Sequence, residues 1–447
     1  MTMTIPAGAA YILDRLCAAG YRAYVVGGCV RDSLLGKTPN DWDVCTSARP
    51  EEMQQVFAGH HVVETGLKHG TLTVVMDHEP YEVTSFRVDG AYTDHRHPDG
   101  VTFVTDVRED LARRDFTVNA MAYHPAEGVI DAFGGMDDLR RGIIRCVGEP
   151  RKRFGEDALR ILRALRFAST YGFAIEEETA RAARELAHTL RSVAPERIRV
   201  EIGKLLCGRG AGEILRYFAD VLAVCIPEIA PMVGFDQRTP FHRFDVWEHT
   251  VRAVEHAPPT ETMRLAMLLH DCGKPAAFTL DEEGIGHAYG HPAKSAEIAE
   301  TVLSRLRVDN ATRDRVLTLV RHHDDPLAKD DAMIRRRLHQ YGEETLRQLI
   351  DMQRADAYGK GTHTEAQIEA HHRRTLDALD AVLAQNPCVS LKQLAVGGRE
   401  MTALGLRGQA IGQCLNALLS GVMDGRIPNE REALLASARH MMEENGW

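Results

Sequence analysis

The chain has 447 residues, of which 44% are hydrophobic and 26% charged, and its formal net charge is −10. This length exceeds one ordinary hydrophobic core and predicts several domains. The negative charge argues against a strongly basic nucleic-acid coat protein, because neutralising phosphates normally requires clustered Lys and Arg. No apolar run reaches the ~20 residues of a membrane-spanning helix and the first residues lack a secretory signal, so we expect a cytoplasmic protein with no membrane partner. The nine cysteines form no Cys-x-x-Cys pair, which indicates reduced core residues.

The first predicted elements are an amphipathic helix, a buried strand and a glycine turn. Residues 1–20 carry an apolar helical stripe, Tyr24-Val25-Val26 forms the strand, and Gly27-Gly28 precedes a helix that begins at Val30. Glycines let the backbone approach a phosphate, the helix N-terminus directs N–H groups at it, and Arg31 adds a planar cation. The pattern indicates a phosphate cradle, although a Gly-Gly pair is also typical of an ordinary turn.

A group of carboxylates follows the glycine turn. Asp41 and Asp43 are two residues apart, and on a strand such residues point to the same face, so both can hold one Mg²⁺. Three β-rich runs between residues 60 and 87 predict strands that extend a small antiparallel sheet. Glu82, in the last run, is either a third carboxylate of this site or a solvent-facing residue on an edge strand. The arrangement suits nucleotidyl transfer, in which metal ions align a 3′ hydroxyl with an α-phosphate.

The run Gly27-Gly28-x-Val30-Arg31-Asp32, followed by Asp41-x-Asp43, resembles the first signature of the class II tRNA nucleotidyltransferases (CCA-adding enzymes) and bacterial poly(A) polymerases. The resemblance implies that Gly28 and Arg31 hold a nucleoside triphosphate. It also implies that Asp41 and Asp43 bind catalytic Mg²⁺, with Glu82 beside them.

Two further stretches of this region resemble the same family. The polar segment 87–100 has the composition of a surface loop and resembles the flexible loop that CCA-adding enzymes carry and CC-only enzymes lack. Residues 113–123 resemble the second signature, which implies that Arg114 pairs with the triphosphate and that Asp115 accepts a hydrogen bond from the ribose 2′ hydroxyl. Without the resemblance, the Arg-Arg-Asp run is typical of a solvated ion-pair face. Residues 131–138 resemble the third signature, whose glycines we expect to form turns.

Residues 156–167 predict a strong amphipathic helix. Asp157 and Arg160 lie three apart and share one helical face, as in an ordinary salt-bridged helix. The stretch also resembles the fourth signature, Glu-Asp-x-x-Arg, which implies that Asp157 and Arg160 read the base of CTP or ATP and reject U and G. Arg163, on the same helix, belongs to the implied nucleotide site. Residues 195–201 resemble the neck signature that stabilises this helix.

Histidines and aspartates recur from residue 241 onward, and each alone is typical of a capped or half-exposed residue. Four of them together resemble the HD phosphohydrolase signature: His249, His270, Asp271 and Asp356. The resemblance implies a divalent metal, with a transition metal as one candidate, that activates water. His291 and His322 are candidates for a second metal site. Near the C-terminus, Gly405 to Gly412 precede a helix whose N-terminus can grip an RNA phosphate, or they belong to a helix-loop-helix packing unit.

The resemblance covers nearly the whole chain and implies an α+β fold, in which a small mixed-sheet polymerase-β-like head is followed by helical domains. The implied domains are the head 1–145, neck 146–205, body 206–240, HD domain 241–360 and tRNA-binding tail 361–447. The leading hypothesis is template-independent addition of C, C and A to the 3′ end of tRNA from CTP and ATP. The alternatives are a poly(A) polymerase or A-adding enzyme, an HD phosphodiesterase or phosphatase whose head holds RNA, and a non-enzymatic RNA chaperone.

Overall fold

The computed structural model describes residues 3–67, 70–90 and 100–445. The chain forms two compact units, Met1–Pro227 and Glu228–Trp447. The predicted five-domain division is finer than this partition and stays a prediction. Most of the predicted flexible loop, residues 91–99, lies outside the described residues. Within the described part of the chain, no helix combines the length and the apolar character needed to cross a membrane.

The first unit contains a mixed β-sheet. Its strands, with two short ladders beside it, are β1 (Ala23–Val26), β2 (Val44–Thr46), β3 (His61–Gly66), β4 (Thr71–Met76), β5 (Glu79–Ser85), β6 (Arg87–Asp89), β7 (Val101–Phe103), β8 (Met121–His124), β9 (Gly128–Asp131), β10 (Ile143–Ile144) and β11 (Ala174–Ile175). The main sheet has the order β3-β4-β5-β2-β1-β8-β9. The predicted antiparallel extension is correct for β3 to β5. It is wrong where β5 joins the rest, because β2 and β5 are parallel.

Helices surround this sheet and continue to the end of the first unit. They are α1 (Ala7–Ala18), α2 (Gly28–Leu34), α3 (Pro50–Val56), α4 (Val107–Ala112), α5 (Gly135–Arg141), α6 (Pro150–Glu156), α7 (Leu159–Tyr171), α8 (Glu177–Glu185), α9 (Pro195–Leu206), α10 (Ala211–Tyr217) and α11 (Ala219–Leu222). Helix α1 buries the four residues that its apolar stripe predicts, namely Ala9, Ile12, Leu13 and Leu16. The combination of mixed sheet and helices confirms the predicted α+β fold.

The single helix predicted for residues 156–167 is interrupted at Asp157. Helix α6 ends at Glu156, Asp157 is extended with φ −140° and ψ 108°, and α7 begins at Leu159. The Asp157 carboxylate accepts a hydrogen bond from the Leu159 backbone N–H at 3.0 Å. Short acidic side chains favour helix starts for this reason, since they satisfy an N–H group that the helix leaves without a partner. The prediction that Asp157 lies within the helix, on one face with Arg160, was therefore wrong.

The second unit is almost entirely helical. Its elements are α12 (Val246–His256), α13 (Glu261–Leu269), α14 (Lys274–Ala277), the hairpin β12 (Thr279–Leu280) and β13 (Gly286–His287), then α15 (His291–Arg305), α16 (Asn310–His322), α17 (Asp331–Lys360), α18 (Glu365–Ala384), α19 (Gly398–Ala403), α20 (Gln409–Met423) and α21 (Arg431–Asn445). The ladders β10–β11 and β12–β13 are exceptions to the predicted helical remainder. Helices α19 to α21 pack around their own core, which includes Met401, Leu418 and Leu434.

Candidate active sites

The glycine turn between β1 and α2 is sterically required at its first position. Gly27 has a φ of 81°, and a Cβ there would lie 2.7 Å from Arg114 Nη1. Gly28 begins α2, and a Cβ there would meet only Arg31 Nη2, at 3.5 Å. An added side chain at Gly27 would therefore be strained and would displace Arg114. The sequence motif singles out Gly28, but Gly27 is the position that lets Arg114 reach the turn.

The sequence predicts Asp41 and Asp43 on a strand. In the structure both lie in the segment just before β2, so this part of the prediction was wrong. Glu82 lies on β5 between buried neighbours and is exposed. The parallel register pairs Val44 with Val83, so continuing it by one residue places Asp43 beside Glu82. Of the two alternatives for Glu82, the register favours the one in which it faces the aspartates.

The charges around Asp43 agree with this placement. Burial raises the pKa of Asp43, the nearby Arg114 lowers it, and the charges of Glu82 and Asp41 raise it. Repulsion among three carboxylates is relieved by a divalent cation, and oxygen ligands suit Mg²⁺. The donor set fits Mg²⁺, although the three carboxylates do not form one of the tight ligand clusters found among the described residues.

Asp115 is buried in a saturated hydrogen-bond site. Its Oδ1 accepts from the Phe116 backbone N–H at 2.9 Å and from Asn119 at 3.0 Å, and its Oδ2 accepts from Arg163 Nε and Nη2 at 2.8 and 2.6 Å. Burial opposes ionisation, but the charge of Arg163 and these hydrogen bonds lower the pKa of Asp115 to about 2. A carboxylate has about four acceptor sites. A ribose hydroxyl must therefore replace one of these donors or bind Arg163 instead.

Asp157 and Arg160 are each held by a neighbouring residue of opposite charge. Arg160 Nη1 donates to Glu156 at 2.7 Å. Asp157 pairs with Arg197 at 3.3 Å. Arg197 belongs to the predicted neck signature at 195–201, so this segment lies beside the Glu-Asp-x-x-Arg stretch as the resemblance implies. The sequence alone singled out neither Arg197 nor the role of Glu156.

Two histidines and two aspartates converge in the second unit. His249 Nε2 lies 3.1 Å from His270 Nε2 and 3.0 and 3.1 Å from the nearer oxygens of Asp271 and Asp356. All four residues are buried, and their ligand atoms lie within 4.8 Å of one another. They come from α12, the end of α13 and α17, which are distant in sequence. The structure thus brings together the four residues that the HD pattern predicts.

A second group shares Asp271 and differs from the prediction. His291 Nε2 lies 3.2 Å from Asp271 Oδ1 and 3.2 Å from the Nε2 of His323. His322, the predicted partner, instead bonds through Nδ1 to Asp325 at 3.0 Å. The two histidines are adjacent at the end of α16, where successive side chains point about 100° apart, so only one can face the cluster. His322 was therefore the wrong choice, and His323 takes its place.

The donor atoms of these groups suit a metal ion. His270, His291 and His323 each use Nδ1 to bond a backbone carbonyl at 2.7, 2.9 and 2.7 Å. When Nδ1 carries the proton, the Nε2 lone pair is free to bind a metal. Asp271 Oδ1 has no hydrogen-bond donor among the residues that the structure describes. Mixed imidazole and carboxylate donors fit a divalent transition metal.

Electrostatics at the centre of this site favour positive charge. Burial opposes protonation of His270, yet Asp271 and Asp356 raise its pKa to about 10. Burial would raise the pKa of Asp271, but His270 and Lys274 hold it well below its usual range. Lys274 Nζ lies 2.7 Å from Asp271, and Lys360 Nζ lies 2.5 Å from Asp356. Both lysines line an open cavity of about 310 Å³ beside the cluster. Lys274 is buried and its Nζ also bonds Gln237 and His242, so the more exposed Lys360 is the one that can meet an anionic substrate.

Comparisons with known proteins find matches in both units of the chain. Residues 23–145 match the family model of the poly(A) polymerase head domain, residues 172–231 match the probable RNA- and SrmB-binding site of polymerase A, and residues 242–360 match the HD domain. The CCA-adding enzyme of Lactobacillus helveticus is 34% identical to this chain, in a match that covers 95% of this chain and 94% of that enzyme. The CCA-adding enzyme of Leuconostoc mesenteroides is 51% identical, in a match that covers 46% of this chain and 50% of that enzyme.

A crystal structure of the Bacillus stearothermophilus CCA-adding enzyme in complex with CTP superposes with a TM-score of 0.73. It is 30% identical in sequence, and the match covers 98% of both chains. Fold, sites and matches define a nucleotidyltransferase with a polymerase-type head and an HD domain. The chain belongs to the family of CCA-adding enzymes. This membership confirms the family resemblance read from the signatures.

Proposed function

We propose that this chain adds C, C and A to the 3′ end of tRNA, using CTP, ATP and Mg²⁺. The observation that carries the proposal is the meeting of three features in the first unit. A glycine turn with no room for a side chain at Gly27 abuts Arg114, the parallel register aligns Asp43 with Glu82, and Asp115 is ion-paired with Arg163. An RNA-binding module has no use for repelling carboxylates beside a phosphate cradle, which argues against a chaperone.

Different residues of the first unit bind different parts of the nucleotide. Asp41, Asp43 and Glu82 would hold Mg²⁺, which aligns the attacking 3′ hydroxyl and stabilises the leaving pyrophosphate. The turn at Gly28, with Arg31 and Arg114, binds the triphosphate. Asp115 fixes the guanidinium of Arg163, whose side chain is 34% exposed and can donate to a ribose 2′ oxygen that a deoxyribose lacks.

Base selection falls to Asp157 and Arg160. Cytosine and adenine both present an exocyclic amine beside a ring nitrogen, so a carboxylate can accept from the first and a guanidinium can donate to the second. Uracil presents a carbonyl and an N–H in those places, and a mispaired polar group in a dry site costs about 1–3 kcal/mol. Because Glu156 and Arg197 hold the two side chains, both must be released or shared when a base binds.

One assay tests the main function. Purified protein is incubated with tRNA that lacks its 3′ end, with each labelled nucleotide and Mg²⁺, and the products are resolved to one nucleotide. Addition of C, C and A, in that order, is expected. Long A tracts or addition of A alone would instead identify a poly(A) polymerase or an A-adding enzyme, and no incorporation would overturn the proposal. Comparing CTP with dCTP in the same assay measures ribose selection.

We propose a second activity for the HD cluster, namely metal-dependent hydrolysis of a phosphoester. The buried Nε2 and carboxylate donors would hold the metal, which supplies an activated water. Lys360 lies at the cavity wall with a partly exposed side chain, where it can neutralise the charge of a phosphate. The test is release of nitrophenol from bis(p-nitrophenyl) phosphate with Mn²⁺, Ni²⁺ or Mg²⁺ added to metal-free protein. No release with any of these metals, despite metal binding, would overturn this activity.

A further inference from the structure

Helix α7 carries a stripe of four side chains, at positions 160, 163, 167 and 171. Their spacings of three, four and four residues place them on one face of the helix. At a rise of 1.5 Å per residue, the stripe extends over about 16 Å. Arg160 and Arg163 belong to the base and ribose parts of the nucleotide site proposed above. Phe167 and Tyr171, at the other end, have no role in that proposal.

Phe167 and Tyr171 both contact Arg31, which follows the glycine turn. The guanidinium carbon lies 5.1 Å from the centroid of the Phe167 ring and 4.9 Å from that of Tyr171. Both distances are within the ~6 Å range of cation–π attraction. The Phe167 ring also contacts Arg163, at 5.4 Å. One aromatic ring therefore joins the arginine of the ribose part to the arginine of the triphosphate part.

Tyr171 also acts on Arg31 through Asp32. The Tyr171 hydroxyl donates to Asp32 Oδ1 at 2.9 Å, and the two Asp32 oxygens accept from Arg31 Nε and Nη2 at 3.0 and 2.9 Å. Burial raises the pKa of Tyr171 to about 12, with Arg31 lowering it and Asp32 raising it, so the hydroxyl stays protonated. The hydrogen bond from Tyr171 thus orients the Asp32 carboxylate, which in turn orients the Arg31 guanidinium.

The remaining donors of Arg31 are directed at the glycine turn. A guanidinium has five N–H groups. Asp32 takes two and Asn119 takes one, through Nη1, which leaves up to two for a phosphate. Nη2 lies 3.5 Å from the place where a Cβ at Gly28 would stand, so the group folds back over the first turn of α2. Without its partners, this long side chain would have several other rotamers.

We propose that Phe167 and Tyr171 are positioning residues for triphosphate binding, which hold Arg31 toward the phosphates. Helix α7 then sets the separation between the base-reading residues and the triphosphate-binding arginine. The inference rests on the proposed role of Arg31. Because CTP and ATP share the triphosphate, loss of these contacts weakens both nucleotides equally and leaves the choice of base unchanged.

The test compares four variants: Tyr171→Phe, Phe167→Leu, Arg31→Lys and the control Tyr24→Phe. Tyr24 is also buried, and its hydroxyl bonds Glu127 at 3.1 Å, away from Arg31. KM for CTP and ATP, the inhibition constant of pyrophosphate and KM for tRNA are measured for each. Tyr171→Phe removes one hydrogen bond, and we expect KM for CTP and ATP to rise together about three- to tenfold. The pyrophosphate inhibition constant rises in parallel, while kcat and KM for tRNA stay unchanged.

The outcomes separate this inference from the proposal on which it rests. If Arg31→Lys leaves the nucleotide and pyrophosphate constants unchanged, the role of Arg31 itself is wrong. If Arg31→Lys weakens binding but Tyr171→Phe and Phe167→Leu behave like Tyr24→Phe, only the positioning role is wrong. If Tyr171→Phe and Phe167→Leu change only kcat and the melting temperature, the two side chains support the fold and do not position Arg31. Combining Tyr171→Phe with Arg31→Lys should give less than the sum of the two single effects.

Discussion

At the scale of single residues, two aspartates of the first unit, Asp43 and Asp115, lie in opposite electrostatic environments. Burial and two neighbouring like charges raise the pKa of Asp43, and because Arg114 offsets these effects only in part, the pKa stays raised. Burial also opposes the ionisation of Asp115, but the donors that surround it instead lower its pKa. The charges around Asp43 destabilise the folded chain unless a cation binds, whereas the Asp115 site is stable without any ligand. This contrast agrees with a metal-binding role for Asp43 and a positioning role for Asp115, and each role makes a separate prediction.

Changing Asp43 to Asn removes a metal ligand while keeping its shape. Incorporation of every nucleotide should fall at least about a hundredfold, since even the loss of groups that support a ligand costs 10–100-fold. Binding of tRNA, measured by gel shift, should stay the same. The control is Asp14→Asn, an exposed aspartate of α1. Near-normal incorporation by Asp43→Asn would show that the metal is held elsewhere.

Changing Asp115 to Asn should alter how stability depends on pH. The folded pKa of about 2 lies below the unfolded value of 3.8. A lowered pKa contributes stability above the unfolded pKa, and that contribution is lost as the pH falls through the folded pKa. The contribution is on the order of 2 kcal/mol. The difference in free energy of unfolding between wild type and variant, from urea titrations, should shrink between pH 5 and pH 2. A constant difference would contradict the ion pair with Arg163.

At the scale of elements, the junction between α6 and α7 orients the two residues proposed to read the base, Asp157 and Arg160. Asp157 lies between α6 and α7 and not within α7, and its carboxylate is oriented by the Leu159 backbone N–H. Helix α9 contacts this junction through the ion pair of Arg197 with Asp157, and the middle of α7 through that of Glu201 with Arg166 at 2.5 Å. Asp157, proposed to read the base, is thus oriented by a helix some 40 residues further along the chain.

Changing Arg197 to Gln should therefore weaken base selection more than catalysis. Partly exposed ion pairs contribute less than about 1 kcal/mol, so we expect the preference for CTP over UTP to fall about two- to fivefold. The measurement is relative incorporation of the four nucleotides on one truncated tRNA. Arg191→Gln, at an exposed position of the same unit, is the control. An unchanged preference with reduced rate would mean that Arg197 only supports the fold.

At the scale of the whole molecule, the residues of the two proposed activities lie in different units of the chain. The nucleotidyltransferase residues belong to the first unit and the HD cluster to the second. Each site takes its ligands from elements of its own unit. A substitution in one cluster should therefore leave the other activity intact.

Changing Asp356 to Asn should remove metal from the second unit without affecting nucleotide addition. We expect bound transition metal, measured by mass spectrometry after dialysis, to fall at least about tenfold, together with phosphoester hydrolysis. The control is Asp351→Asn on the same helix, whose carboxylate bonds His372 at 2.8 Å outside the cluster. If addition of C, C and A falls together with metal content, the two activities depend on each other and the separation by unit is wrong.

Local pattern determined much of this protein. The glycine turn, the amphipathic α1 and the run of strands follow from spacing and side-chain chemistry, which depend only on near neighbours in the chain. The four HD residues are far apart in the chain and were predicted from the family resemblance. The family resemblance, carried by motifs of a few residues each, was likewise readable from the sequence and was confirmed by relatives matching almost the full chain.

Tertiary structure decided what local pattern left open. Both His322 and His323 have the chemistry of a metal ligand, and only the rotation of α16 against its neighbours selects His323. Glu82 faces Asp43 because β2 and β5 pair in parallel, which no run of sequence around either residue specifies. Tyr171 reaches Asp32 across 139 residues. Periodicity fixes which residues share a face, but the partner of that face is set by long-range packing.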